Sequence, residues 1–131
     1  MGTSEKTLAS FIKDIARSRY LISDKFTPQC IDPKAEDPFK DMIEKQLNLM
    51  NLSKFDIYWI HNVEGAPKWI EELAKYFQNK NPEDIPLIGV SNHNLAEIKQ
   101  AVEILEKYKL KLSAVQNHFS LLNSLRKIPA F

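Results

Sequence analysis

The sequence has few of the residues that mark several common classes of protein. Its 131 residues include one cysteine, Cys30, so a framework of internal disulfides is excluded. The three glycines form neither a G-x-G-x-x-G motif nor a Walker phosphate loop. No apolar run reaches the length of about 18 residues that a membrane span needs, and the N-terminus lacks the apolar core of a signal peptide. These absences predict a cytoplasmic protein.

The charge pattern argues against two further kinds of partner. The formal net charge is +1, and lysines are mixed with acidic residues on the predicted helix faces. No field therefore attracts nucleic acid or an anionic membrane, and we expect neither as a partner. His93 and His118 lack the spacing of a zinc motif, so no metal site is predicted.

Short apolar runs alternate with amphipathic segments along the whole chain. The runs predict four strands, at Tyr20–Phe26, Phe55–Ile60, Leu87–Val90 and Leu112–Gln116. The amphipathic segments predict four helices, at Ser4 to about Arg17, Pro38 to about Leu52, Pro67 to about Asn79 and Leu95 to about Tyr108. The apolar tail Leu121–Phe131 has little pattern. This alternation predicts an α/β fold with a parallel sheet and right-handed crossovers.

Two architectures fit four βα units. One is a small doubly wound sheet, and the other is part of a (β/α)8 TIM barrel, which needs about 250 residues when complete. The chain has half that length and half the strands. Ser91 and Asn92 fall in a strand-to-helix loop, where parallel α/β folds hold ligands. Asn94 and Glu97 have the spacing of a capping box for the helix that follows.

Polar residues end each apolar run, although a buried strand has no need of them. Side chains alternate across a strand, so Ser23 and Lys25 share one face of their strand. Trp59 and His61 share one face of the next, while Tyr58 takes the other. Taken singly, a lysine at a strand end is more often solvated, and such a histidine is more often structural. At neighbouring ends of a parallel sheet, however, Lys25 and His61 are plausible proton-handling groups.

Four segments together resemble the aldo-keto reductase family. They are Tyr20–Lys25, Phe55–Asn62, Ile88–Asn92 and Ala114–Asn123, in the family's order and with roughly its spacing. The resemblance covers nearly the whole chain and implies an NADPH-dependent carbonyl reductase on a (β/α)8 barrel. It implies that Lys25 and His61 are catalytic residues. It also implies that Ser91, Asn92 and Gln116 bind the nicotinamide carboxamide, and that a small carbonyl compound is the substrate.

Two departures from the family pattern concern the proton donor. The family's acid is a tyrosine held beside the lysine and an aspartate, and both residues belong to a preceding βα unit that would fall before Met1. Tyr20 lies at the wrong end of its strand to replace the tyrosine, Tyr58 points off the His61 face, and Asp24 opposes Lys25. We therefore expect residues 1–131 to form a single incomplete reductase domain, inactive alone and weak at best in NADPH binding.

Two other interpretations remain open. An incomplete barrel exposes apolar strand faces and edges, so Ile57, Trp59, Val90 and the apolar tail are expected to need cover. Self-association would supply it, or a helix of the Leu121–Phe131 tail folded across the open side. The chain could accordingly be a non-catalytic, self-associating half-barrel. A flavodoxin-like nucleotide-binding domain is the third possibility, but the sequence contains no phosphate loop.

Overall fold

The computed structural model describes residues 2–118 and 120, so the predicted tail Leu121–Phe131 lies outside the described residues. Within them, four α-helices alternate with four strands. In chain order they are α1 Thr3–Ile12, β1 Ser23–Phe26, α2 Pro38–Met50, β2 Ile57–Ile60, α3 Ala66–Phe77, β3 Leu87–Ser91, α4 Leu95–Lys107 and β4 Leu112–Gln116. Short 3₁₀ turns lie at Arg17–Arg19, Pro28–Cys30 and Pro82–Asp84. None of the helices in this part of the chain is long and apolar enough to cross a membrane.

The strands form one parallel sheet in the order β1-β2-β3-β4. A doubly wound sheet reverses its strand order at a switch point, whereas barrel strands follow one another around the axis. The consecutive order is therefore that of a partial (β/α)8 barrel. Two of the predicted helix starts are confirmed. Asn94 and Glu97 form a capping box before α4, and α2 begins at Pro38, where the Asp37 side chain accepts from the Lys40 N–H.

One face of the sheet carries the hydrophobic core. Phe26, Tyr58, Ile60 and Val90 are fully buried there beneath the helices, and the Phe26 ring lies 4.8 Å from that of Trp69 in α3. The helix-side core also includes Phe39, Ile43, Ile70, Leu73, Ala101 and Leu105. The opposite face, which carries Lys25, Trp59 and Gly89, is the face that a barrel turns inward.

The inward face is organised around the Trp59 ring. In register across the sheet, Lys25 faces Trp59, Trp59 faces Gly89, and Gly89 faces Ala114. A Cβ atom on Gly89 would overlap the Trp59 ring. The ring therefore lies over β3 at the one position without a side chain. An irregularity between Ile88 and Gly89 shifts the β4 register, so that Ala114 continues the row.

Two element boundaries differ from the sequence prediction by three residues or more. β1 begins at Ser23, because the carbonyl of Tyr20 accepts from Arg17 and the N–H of Ile22 donates to the Asp56 carboxylate (2.7 Å). The backbone groups of Tyr20 and Ile22 therefore bind side chains, and these residues precede the strand instead of beginning it. α1 ends at Ile12 rather than near Arg17, and Phe11 on its apolar face is 69% exposed.

The expected exposure of the inward face was partly wrong. Val90 lies on the helix side and is fully buried, and Trp59 is only 8% exposed because it packs over Gly89. Leu87 is the exposed apolar residue of that face, at 55%, and Leu21 just before β1 is 84% exposed.

Candidate active site

The end of β1 and the end of β2 bring Lys25 and His61 to the same edge of the sheet. The N–H of His61 donates to the carbonyl of Phe26 (3.1 Å), which continues the β1–β2 ladder by one residue. His61 Nδ1 lies 3.2 Å from the Thr27 hydroxyl, which fixes the plane of the ring. If the hydroxyl donates, the proton of the imidazole lies on Nε2, where it is available to a ligand.

Lys25 reaches across the sheet. Its ammonium donates a hydrogen bond to Gln116 Oε1 at the end of β4, and it lies 5.7 Å from the centre of the Trp59 ring. Three inter-strand spacings of about 4.8 Å, or about 14 Å in total, separate β1 from β4 in a sheet. Both side chains must therefore extend over Trp59 and Gly89.

The environment weakens the basicity of both groups. Burial lowers the pKa of the Lys25 ammonium, because desolvation disfavours the charged form. Burial also lowers the pKa of His61, and the positive charge of Lys25 lowers it further. Two neighbouring bases with depressed pKa values in a cleft are typical of proton-handling sites.

A tight turn after β3 places the next two predicted residues. Asn92 has φ +61°, in the left-handed region that asparagine tolerates better than most residues. Its N–H donates to the carbonyl of Gln116 (3.0 Å), and its Oδ1 accepts from the N–H of His118 (2.9 Å). Its Nδ2 lies 3.5 Å from the Ser91 hydroxyl. Ser91 is the most enclosed of the predicted residues, at 3% exposed, whereas Asn92 and Gln116 are open to solvent.

A cleft of about 400 Å³ adjoins the lysine and the histidine. Lys25, His61, Cys30 and Asp24 line it together with the first turn of α1. Burial raises the pKa of Asp24 to about 6, against the lowering effect of the Lys25 N–H, and Glu5 in α1 raises it further. Asp24 Oδ2 is buried and accepts no hydrogen bond from the described residues.

Tyrosine is missing from this site in the described part of the chain. Tyr58 lies on the helix side, where its hydroxyl donates to Gln46 Oε1 (2.5 Å). Burial raises the pKa of that hydroxyl above its ordinary value. Gln46 Nε2 in turn donates to the carbonyl of Lys25 (3.0 Å), so Tyr58 supports the Lys25 backbone from behind. The parity argument that removed Tyr58 from the His61 face is thus confirmed.

Sequence reasoning missed three residues at the site. Thr27 orients His61. The sequence could have indicated this role, because Thr27 lies two residues after Lys25 and so shares its face of the strand. His93 and Asn117 bind the turn after β3, and their places beside Asn92 and Gln116 were the only hint. No group of three or more potential metal-binding side chains occurs among residues 2–118 and 120.

Comparisons with known proteins agree with this architecture. The family model "Aldo/keto reductase family" matches residues 1–129. A solved structure, an aldo/keto reductase from Brucella melitensis, superposes with a TM-score of 0.69 at 17% identity. The match covers 88% of this chain and 44% of that one, so the chain spans less than half of the neighbour's length. Among curated protein sequences, none matches.

The chain therefore belongs to the aldo/keto reductase family, a family of oxidoreductases. The partial (β/α)8 barrel, which the family resemblance implied, is confirmed by the parallel sheet and by its structural neighbour. Lys25, His61, Ser91, Asn92 and Gln116, which the resemblance implied, lie at the carboxyl ends of the four strands. Their roles remain predictions.

Proposed function

We propose that this chain carries part of the site of an NADPH-dependent carbonyl reductase. The observation that supports it best is the contact between Lys25 and Gln116, which joins a candidate catalytic residue to a candidate cofactor-binding residue across the sheet. In barrels of this kind, ligands bind at the carboxyl ends of the strands. The proposed substrate is a small carbonyl compound.

The donor set fits the nicotinamide end of such a cofactor. Asn92 and Gln116 offer two exposed amides, and Ser91 offers a hydroxyl beside them. Amides can donate to and accept from a planar carboxamide, and two of them on adjacent loops fix its orientation. A reduced nicotinamide, when bound, supplies the hydride that the carbonyl carbon takes up.

Lys25 and His61 would act on the carbonyl oxygen. In the proposed role the imidazole donates from Nε2 to that oxygen and polarises the C=O bond, while Thr27 holds Nδ1. The ammonium of Lys25 would stabilise the negative charge that develops on the oxygen. The reduction also needs a proton donor, and none of the described tyrosines lies within the site. We therefore propose that residues 1–131 alone cannot complete the reduction.

Titration with NADPH tests the proposal. The residues assigned here address only the nicotinamide end, so we expect a dissociation constant of about 1 mM or weaker, equivalent to about −4 kcal/mol. Gln116→Leu should weaken binding further, to beyond measurement. Gln100→Leu, at an exposed position in α4, is the matched control and should leave the affinity unchanged. Equal NADPH affinities of the two variants would show that Gln116 is not part of the cofactor site.

Self-association is a second candidate function, and the exposure of Leu87 and Leu21 favours it. Leu87 lies on the inward face in register with Ile57, and β1 and β4 are the outer strands of the described sheet. A second copy of the chain would pair with the open edges and bury Leu87. A cytoplasmic location is also part of this proposal, and the single, exposed, free Cys30 is compatible with it.

A further inference from the structure

We propose that His93 and Asn117 are positioning residues, which hold the turn after β3 against the end of β4 and so fix the relative positions of the Asn92 and Gln116 amides. Their two side-chain hydrogen bonds, to the carbonyls of Ser91 and His93, are together called the lock. Neither residue belongs to the set that the sequence predicted. His93 follows Asn92 in the turn after β3, and Asn117 follows Gln116 at the end of β4. The consequence for cofactor binding rests on the proposed function, whereas the lock itself does not.

His93 holds the turn from inside. Its side chain is 1% exposed, and its Nδ1 lies 2.8 Å from the carbonyl oxygen of Ser91. A carbonyl oxygen can only accept, so Nδ1 carries the proton and donates it. This bond ties position 93 back to position 91 around Asn92, whose left-handed backbone is costly for a non-glycine residue. His93 Nε2 is buried and has no partner in the described chain, so the ring is held through Nδ1 alone.

Asn117 holds the same turn from the other strand. Its Nδ2 donates to the carbonyl of His93 (2.9 Å). The carbonyl of Gln116, one residue earlier, accepts from the N–H of Asn92 (3.0 Å). Side chain and backbone of residues 116 and 117 thus bind two successive residues of the turn. The loops cannot shift against each other without breaking both bonds.

The lock matters because the two amides belong to different strands. Asn92 follows β3 and Gln116 ends β4. The β3–β4 ladder, in which Ser91 pairs with Gln116, sets the distance between the strands, and the cross-links from His93 and Asn117 fix the turn that carries Asn92. Binding groups held in place before the ligand arrives avoid the entropy cost of ordering them. A loosened turn would leave both amides present but badly aligned.

Two variants of His93 distinguish the effect of its hydrogen-bond donor from the effect of its ring packing. His93→Asn places an amide N–H where Nδ1 lies, whereas His93→Phe keeps the ring and removes the donor. Hydrogen exchange of the Asn92 amide, relative to the Ile60 amide in the buried β2 strand, reports the lock independently of overall stability. We expect exchange about tenfold faster in His93→Phe, the effect of one lost hydrogen bond, and within about threefold of the parent in His93→Asn.

Asn117→Asp gives a second, independent variant, because its carboxylate cannot donate to the carbonyl of His93. It should also speed exchange at Asn92 about tenfold. Exchange unchanged in both His93→Phe and Asn117→Asp, or His93→Asn as fast as His93→Phe, would overturn the proposal.

NADPH titration of the same variants distinguishes this inference from the proposed function. Binding should weaken beyond measurement in His93→Phe and keep the affinity of the parent chain in His93→Asn. If the parent chain binds no NADPH while the exchange pattern appears as expected, the lock stands and the assigned cofactor is wrong. If NADPH binds and affinity follows the exchange rates, both are supported.

Discussion

The ammonium of Lys25 at the first strand and the side-chain oxygen of Gln116 at the fourth share a hydrogen bond above the ring of Trp59. Gly89 makes this possible, because any larger residue would displace the ring from beneath the two side chains. Gln116 Oε1 is consequently engaged before any ligand arrives, and a carboxamide must share it with Lys25 or take it over. A ligand that takes over Gln116 Oε1 would therefore remove this acceptor from the Lys25 ammonium.

Removing the Lys25 charge should raise the pKa of His61. Burial is the larger cause of its depressed pKa and the Lys25 charge is the smaller one, so Lys25→Met should restore only part of the ordinary value. An NMR titration of the His61 ring protons measures this directly. Lys99→Met, an exposed lysine in α4, is the control and should leave the His61 titration unchanged. An unchanged pKa in Lys25→Met would show that the two side chains do not interact.

Asp24 should make the fold less stable as the pH rises. Its pKa is about 6 in the folded chain and 3.8 as the ordinary value, so the folded state binds more protons between these limits. Stability is then highest below about pH 4 and is lost as pH rises to about 6. Asp24→Asn should therefore raise the free energy of unfolding at pH 7 by about 1–2 kcal/mol, after discounting for solvent screening, and have little effect at pH 4.

Urea denaturation at the two pH values provides the measurement for Asp24. Asp14→Asn, at an exposed position after α1, removes the same charge and should change stability by less than about 0.5 kcal/mol. A destabilised Asp24→Asn at pH 7 would mean that the carboxylate has a stabilising partner.

The fold was more accessible to sequence reasoning than the site. Short apolar runs identified the four strands and helical spacings the four α-helices, because burial in a sheet or against a helix face requires these patterns. The start of β1 was misplaced because Arg17 and Asp56, distant in sequence, bind the residues before it. Val90 was expected to need cover, although the helices already bury it. Thr27, His93 and Asn117 were missed because their roles arise from contacts between loops, which no local pattern records.

The chain alone should reduce no aldehyde measurably. General acid catalysis contributes about 10²–10⁴-fold, and none of the described tyrosines can reach the site to supply the proton. The assay follows NADPH absorbance with 4-nitrobenzaldehyde as a generic substrate. Turnover that Lys25→Met abolishes and Lys99→Met preserves would contradict this expectation, and it would show that another group acts as the acid.

Leu87 should drive self-association. At about 25 cal/mol per Å², each 100 Å² of apolar surface covered contributes about 2.5 kcal/mol. We expect sedimentation velocity to show a dimer or larger species that Leu87→Ser shifts toward monomer. Leu95→Ser, equally apolar and 45% exposed but in α4, is the control and should leave the distribution unchanged. A monomeric parent chain at high micromolar concentration would refute the proposal.

The proposed cofactor site is tested most directly by mapping NADPH onto the chain with ¹H–¹⁵N NMR. We predict that millimolar NADPH shifts the side-chain amide signals of Asn92 and Gln116 and the indole N–H of Trp59. The indole N–H of Trp69, buried in the helix-side core, should not move. Saturable shifts confined to the first three signals would support a nicotinamide site at the carboxyl ends of the strands. Shifts that leave Asn92 and Gln116 unchanged would contradict it.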